Sequence, residues 1–148
     1  MKLYVGSDHR GFESKGKLLE FLQAAGHDVE DTGDTKYQPE DDFPQFAGRC
    51  ASAVLASDHL GAKGILICGS GQGMCMAANR FRGIRASLGY DKASVQSARN
   101  DDDANVLCLP AELIEVGDWE TLVTTFLETP FAAAPRFIRR LKEIDELG

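Results

Sequence analysis

The sequence predicts a three-layer α/β/α domain built on a five-stranded parallel sheet. Two patterns carry that expectation. Short apolar, β-branched runs of strand length alternate with longer amphipathic stretches through all 148 residues, and such alternation builds parallel sheets covered by helices on both faces. The run Ile65-Leu66-Ile67 breaks into alternating glycines at Gly69, Gly71 and Gly73, and helical spacing resumes at Met74, Ala77 and Ala78. Strand, glycine turn and helix in that order aim backbone N–H groups at whatever lies beyond the strand's carboxyl end.

The other elements follow in order. Leu3-Tyr4-Val5 reads as the first strand. A helix from about Gly11 to Ala25 would bury Phe12, Leu18, Leu19, Leu22 and Ala25, with Gly26 ending it. His27 to Asp31 is a weaker, peripheral strand, and the polar segment Gly33 to Asp42, which holds Pro39, is a loop. Phe43 to Ser57 is the second helix, with Phe46, Ala47, Cys50 and Val54 on its buried stripe. The helix after the glycine turn runs to about Arg80. Ile84 to Leu88 is the fourth strand, Asp91 to about Asn100 the next helix, and Asn105 to Leu109 the fifth strand, stopped by Pro110. Val116, Trp119, Leu122, Val123, Phe126 and Leu127 make a helical stripe. A last helix begins near Phe131 or Pro135 and extends to about 147, with Phe137, Ile138, Leu141 and Ile144 facing in. It is suited to dock on another subunit as well as on its own sheet. No repeat or second core interrupts residues 1–148, which read as one domain.

Composition narrows the function classes. Hydrophobic content of 43% and charged content of 26% fit a soluble globular protein, and no apolar run approaches the roughly 20 residues of a membrane span. The start runs straight into a strand without a signal-peptide pattern, so a cytoplasmic location is expected. A formal charge of −7 argues against nucleic acid or an anionic membrane surface as the main partner. It leaves room for a small anion held by local arginines and helix ends. The four cysteines form no CxxC pair, and with three histidines no zinc-ligand spacing arises, so no metal is expected. Cys50, Cys75 and Cys108 read as reduced core thiols. The glycine run fails the dinucleotide fingerprint G-x-G-x-x-G, because the third position is Met74 or Met76, and it fails G-x-x-x-x-G-K-[ST] too. No nucleotide cofactor is indicated.

Ligands of open parallel sheets bind beyond the strands' carboxyl ends. Three segments are expected there: Gly6 to Gly11, holding Asp8 and His9; Cys68 to Gly73; and Asn100 to Asp103. Cys68 ends its strand beside the positive end of a helix, where a thiol is suited to act as base or nucleophile. Arg136 and Arg140 lie four apart, on one helix face, as an anion clamp requires. Plain structural readings stand beside these. Asp8 would cap a helix, His9 would be a surface residue, the aspartates a solvated helix end, and the arginines a basic helix face.

Gly6-Ser7-Asp8-His9-Arg10-Gly11-Phe12, Asp42-Phe43-Pro44, Ile67-Cys68-Gly69-Ser70-Gly71-Gln72-Gly73, Ala77-Ala78-Asn79, Gly83-Ile84-Arg85-Ala86 and Asn105-Val106-Leu107 resemble the type B ribose-5-phosphate isomerases, a family that includes the galactose-6-phosphate isomerase subunits. The resemblance runs from Met1 to about Ile144. It implies a Rossmann-like, cofactor-free aldose–ketose isomerase working through a cis-enediolate, usually a homodimer or dimer of dimers in which both subunits build each site. By resemblance, Cys68 is the base between C1 and C2, and Ser70 with the amides of Gly69, Gly71, Gln72 and Gly73 holds the enediolate oxygens. Asp8 would contact sugar hydroxyls, and His9, Arg136 and Arg140 the phosphate. Some members carry a glutamate base where this chain has Met74, so here the thiol must serve.

Three positions depart from the family pattern. Asp101 stands where a ring-opening histidine is expected, Asp102 where an asparagine is, and Glu112 where a phosphate-binding arginine is. Asp101 is a candidate general base for ring opening, Asp102 a candidate binding residue, and Arg10, absent from the usual motif, a candidate for the missing charge. The first substrate expectation is ribose 5-phosphate to ribulose 5-phosphate. The alternatives are a tetrose 4-phosphate, which forms no furanose ring, or an allose or galactose 6-phosphate. A catalytically weak sugar-phosphate-binding homologue is the rival from another class.

Overall fold

The computed structural model describes residues 1–148, the side chain of Val116 excepted. Five strands form one wholly parallel sheet: β1 (Lys2–Ser7), β2 (Asp28–Asp31), β3 (Lys63–Cys68), β4 (Ala86–Leu88) and β5 (Val106–Pro110), in spatial order β2-β1-β3-β5-β4. The helices are α1 (Phe12–Ala24), α2 (Phe43–Ala56), α3 (Gln72–Ala78), α4 (Lys92–Asp102), α5 (Val116–Glu128) and α6 (Pro135–Asp145). The three-layer fold expected from the sequence is the one observed.

Alternation along each strand sorts the two layers. Leu3, Val5, Ile65, Ile67, Leu107 and Leu109 face one side, against Leu18 and Leu22 of α1, Val95 of α4, and Trp119, Leu122, Val123 and Phe126 of α5. Tyr4, Leu66, Cys68, Val106 and Cys108 face the other, against Phe46, Ala47, Cys50 and Val54 of α2 and Met74 and Ala78 of α3. Val116, placed in the α5 stripe by the sequence, lies outside the described side chains.

The chain leaves β1 for α1 on one face and β3 for α3 on the opposite face. Those two strands are neighbours, so a crevice opens between their carboxyl ends, the switch point where open α/β sheets receive ligands.

Several boundaries differ from expectation, each for a local reason. A 3-10 turn, His9–Gly11, precedes α1, because the buried Asp8 carboxylate accepts from the amides of Arg10 and Gly11 and holds the chain in a tighter coil. Ala25 is exposed, as it lies past the last turn of α1. Lys15 is buried instead, its ammonium bonded to Asp31 and to the Asp34 carbonyl. Pro110 belongs to β5 as its last residue, paired with Cys68. Helix α4 continues through Asp102.

The largest departure is α6. Of the four side chains expected to face in, Phe137 is buried and Leu141 half-buried, but Ile138 is 53% and Ile144 48% exposed. The segment before α6 is tied to the end of α4 by the Ala132 amide on the Asn100 carbonyl. Helix α6 therefore packs against α4, and much of its apolar stripe stays open.

Asp103 caps α4 with φ +46, a left-handed conformation that aspartate tolerates better than most residues. Its carboxylate takes Arg99 Nη1 at 2.7 Å and Arg85 Nη2 at 3.3 Å, while Arg99 also bonds the carbonyls of Ala104 and Thr129. Arg99 is buried, so removing its counter-charge leaves a cation in the interior. Asp103→Ala is expected to cost about 2–3 kcal/mol, read as a lower urea midpoint with unchanged slope. Asp103 is thus the structural member of the aspartate triplet.

Candidate active site

Cys68 ends β3 with its side chain buried on the α2–α3 face. Around it the backbone is stapled on both sides. The Asp8 amide donates to the Ile67 carbonyl, the Ala111 amide to the Cys68 carbonyl at 2.9 Å, and the Glu112 amide to the Gly69 carbonyl at 3.0 Å. The loops after β1 and β5 thereby flank the glycine turn. Gly71 begins α3 in the left-handed region, φ +76, and a Cβ there would meet Leu88 at 2.5 Å. Both its conformation and its neighbour require glycine. The first-turn amides of α3 have no intrahelical acceptor; the Gln72 amide is taken by Ser70 Oγ at 3.4 Å. A Cβ on Gly73 would meet the Phe43 ring at 2.7 Å, so the half-exposed Phe43 walls the turn from the α2 side.

His9 is oriented by Asp41, whose Oδ1 lies 2.8 Å from Nδ1 and also accepts the His9 amide. Pairing with a carboxylate makes Nδ1 the donor and leaves Nε2 for a ligand. Asp41 stands outside every motif legible in the sequence. Its only signal there was an acidic run, Glu40-Asp41-Asp42, in a loop.

Burial pushes the Asp8 carboxyl above its ordinary value, opposed by the Arg10 and Gly11 amides and by His9, with Asp41 adding to the rise. A raised carboxyl contributes stability that is present below the unfolded value and lost as pH climbs through the folded value. Asp8→Asn keeps an acceptor for the two amides and sheds that cost. Wild-type stability relative to Asp8→Asn is therefore expected to fall between about pH 4 and neutrality, measured by urea unfolding at both.

Arg10 and Glu112 form a two-pronged ion pair across the turn, with Nε on Oε1 at 3.0 Å and Nη2 on Oε2. The arginine hydrogen bond is the main reason the Glu112 carboxyl is held below its ordinary value. Arg10 is therefore not an unpaired charge standing in the place of the expected arginine, and Glu112 is not an unpaired repeller of anions. Each neutralises the other.

The structure separates the remaining candidates from this cluster. Asp101 and Asp102 are in the last turn of α4, and Arg85 Nε binds the carbonyls of Asp102 and Asp103 just before β4 begins. They lie at the amino ends of β4 and β5, contrary to the expectation that they fall beyond the carboxyl ends. A helix joining parallel strands runs against them, so its end comes where the next strand starts. The β5 residues beside β3, Val106 to Pro110, put roughly 13 Å of strand between the two sets. Arg140 is close enough to Asp102 to favour its ionised form, against burial and the Asp101 charge, which raise the Asp102 carboxyl. Asp101, Asp102 and Arg140 thus form a second cluster at the opposite end of the strands, and Arg136 lies one turn before Arg140 on α6. Among the described residues, no group of three or more His, Cys, Asp or Glu side chains is arranged to hold a metal ion.

Residues 3–144 match the family model described as Ribose/Galactose Isomerase. The chain belongs to that family. It is 40% identical over 129 residues to the probable ribose-5-phosphate isomerase B of Mycoplasma pneumoniae, covering 87% of this chain and 84% of that one. It superposes on the ribose 5-phosphate isomerase of Thermotoga maritima with a TM-score of 0.92 at 40% identity, covering 99% and 98% of the two chains. The Mycoplasma genitalium ribose-5-phosphate isomerase B, solved with bound ribulose-5-phosphate, superposes with the same score at 35% identity, covering 97% and 93%. Family membership agrees with the motifs around Asp8 and Cys68, which the fold brings together at the carboxyl ends of β1 and β3.

Proposed function

We propose that the chain is a sugar-phosphate aldose–ketose isomerase, with ribose 5-phosphate and ribulose 5-phosphate as the first substrate pair. One observation carries the reading: a buried thiol ends the central strand, beside the glycine turn that leads into α3, at the sheet's switch point. The isomerases it resembles, one of them holding ribulose-5-phosphate, support that substrate class.

In this reading Cys68, as thiolate, takes the proton from C2 of the open-chain aldose and leaves a cis-enediolate. The hydroxyl proton passes from O2 to O1, and the thiol returns its proton to C1, giving the ketose. An α-hydroxycarbonyl proton is weakly acidic, so the developing oxyanion needs prearranged donors. Ser70 Oγ and the amides of Gly69, Gly71 and Gly73 supply them, with the Gln72 amide turning from Ser70 Oγ to the oxyanion when substrate binds. Asp8 binds sugar hydroxyls, and His9 Nε2 meets the phosphate.

Arg136, Arg140, Asp101 and Asp102 reach the same sugar only from a second copy of the chain. We take the active form to be a cytoplasmic homodimer, or dimer of dimers, with each site shared. The opened apolar stripe of α6 and its neighbour Leu147, 74% exposed, support that assembly. Asp101 then relays the ring-opening proton, Asp102 binds the sugar, and the two arginines hold the phosphate, whose binding energy positions the reacting carbons.

The test is isomerisation of ribose 5-phosphate, allose 6-phosphate, galactose 6-phosphate and erythrose 4-phosphate by the purified protein. Turnover of ribose 5-phosphate is the expected result. Turnover of the tetrose alone would mark Asp101 as the sign of a substrate that forms no ring. No turnover of any sugar would overturn the enzymatic reading.

A further inference from the structure

The Arg10–Glu112 pair has a geometry beyond that of a surface ion pair. An ideal Cβ on Gly69 would lie 2.1 Å from Arg10 Cζ and 2.2 Å from its Nε and Nη2, and these are the three atoms nearest that position. The guanidinium therefore rests against the Cα of the residue that follows Cys68. Gly69 has no positive φ to demand glycine; the demand comes from the arginine seated on it. Glu112 holds it there twice over, through its carboxylate on Nε and Nη2 and through its amide on the Gly69 carbonyl. The Asp8 carboxylate fixes the Arg10 backbone from below.

At long range the pair is neutral. At the turn, the guanidinium is the nearer pole, and its Nη1 edge has no protein acceptor among the described residues. We propose that Arg10 is an anion-favouring group at the Cys68–Gly69 corner, that Glu112 positions it, and that the anion it serves is the enediolate oxygen. The last step rests on the isomerase reading; the local positive field does not.

Two readouts separate the parts. The first needs no turnover. Alkylation of Cys68 by anionic iodoacetate and neutral iodoacetamide is followed peptide by peptide, with the half-buried Cys75 as internal reference. The iodoacetate-to-iodoacetamide rate ratio at Cys68 is expected to fall roughly threefold to tenfold in Arg10→Met, for a unit charge lost at short range in a partly wet site. It should stay near wild type in Arg10→Lys and fall in Gly69→Ala, which dislodges the guanidinium without removing it. A ratio unchanged in Arg10→Met overturns the inference.

The second readout is steady-state kinetics on whichever sugar phosphate the wild type isomerises. Arg10→Met is expected to lower kcat about 10²-fold with a smaller change in KM. Arg10→Lys should restore part of the rate, Glu112→Gln should lose less than Arg10→Met, and the double variant should be no worse than Arg10→Met alone. Equal losses in kcat across Met and Lys, with a lowered Tm, would make the pair a structural clasp and overturn it. A fallen alkylation ratio in a protein that turns over no sugar would keep the field and sink the isomerase reading instead.

Discussion

Cys68→Ala is expected to lower isomerisation by about 10³-fold or more while leaving the fold intact, since a positioned base contributes on the order of 10²–10⁴ and no second carboxylate occupies this turn. The side chain is small, and its loss from the α2–α3 face should cost only about 1 kcal/mol of stability, so circular dichroism and the urea midpoint should stay close to wild type. Cys50 is the internal control. It lies in the same core layer, but burial pushes its thiol up to about 12, so it holds its proton at neutral pH and Cys50→Ala should leave kcat nearly unchanged. The rate of exchange of the substrate C2 proton with deuterated solvent should vanish with turnover in Cys68→Ala. Retained turnover in that variant would remove the thiol from the mechanism.

The second large effect is recovery of activity from two inactive proteins. Cys68→Ala disables the cluster at the carboxyl ends of the strands, and Arg136→Met/Arg140→Met disables the cluster at the opposite end. If each site takes one cluster from each copy, a mixed dimer carries one doubly damaged site and one intact site. After unfolding and refolding together, equal amounts of the two proteins should regain on the order of a quarter of wild-type activity, from a starting level near zero. Separately refolded proteins, mixed afterwards at low temperature, should regain little until subunits exchange. Persistent inactivity after joint refolding, with dimers present by light scattering, would mean that both clusters do not serve one site.

Much of the architecture was legible because it is written in short-range patterns. The β-branched runs at Leu3, Ile65 and Val106 marked the central strands, whose burial on both faces favours unbroken apolar sequence. The stripe from Trp119 to Phe126 marked α5 in the same way. The motif residues Asp8, Cys68 and Gly71 were likewise visible, since a strand followed by a glycine turn constrains its own backbone. Ile138 and Ile144 misled for a definite reason. An amphipathic stripe reports that a helix needs an apolar cover, but not whether that cover is its own sheet or another molecule.

The sequence by itself determined the fold class, the order of elements and the turn that presents Cys68, because hydrophobic period, glycine placement and strand length act locally. Tertiary structure alone decided which charges meet. Asp41 reached His9 across 32 residues, and Glu112 reached Arg10 across 102. Only the parallel course of β4 and β5 sent Asp101 and Asp102 to the far end of the strands. Ion pairs between distant segments leave no periodic trace in the chain; they exist where the packing of the sheet brings two loops to the same end.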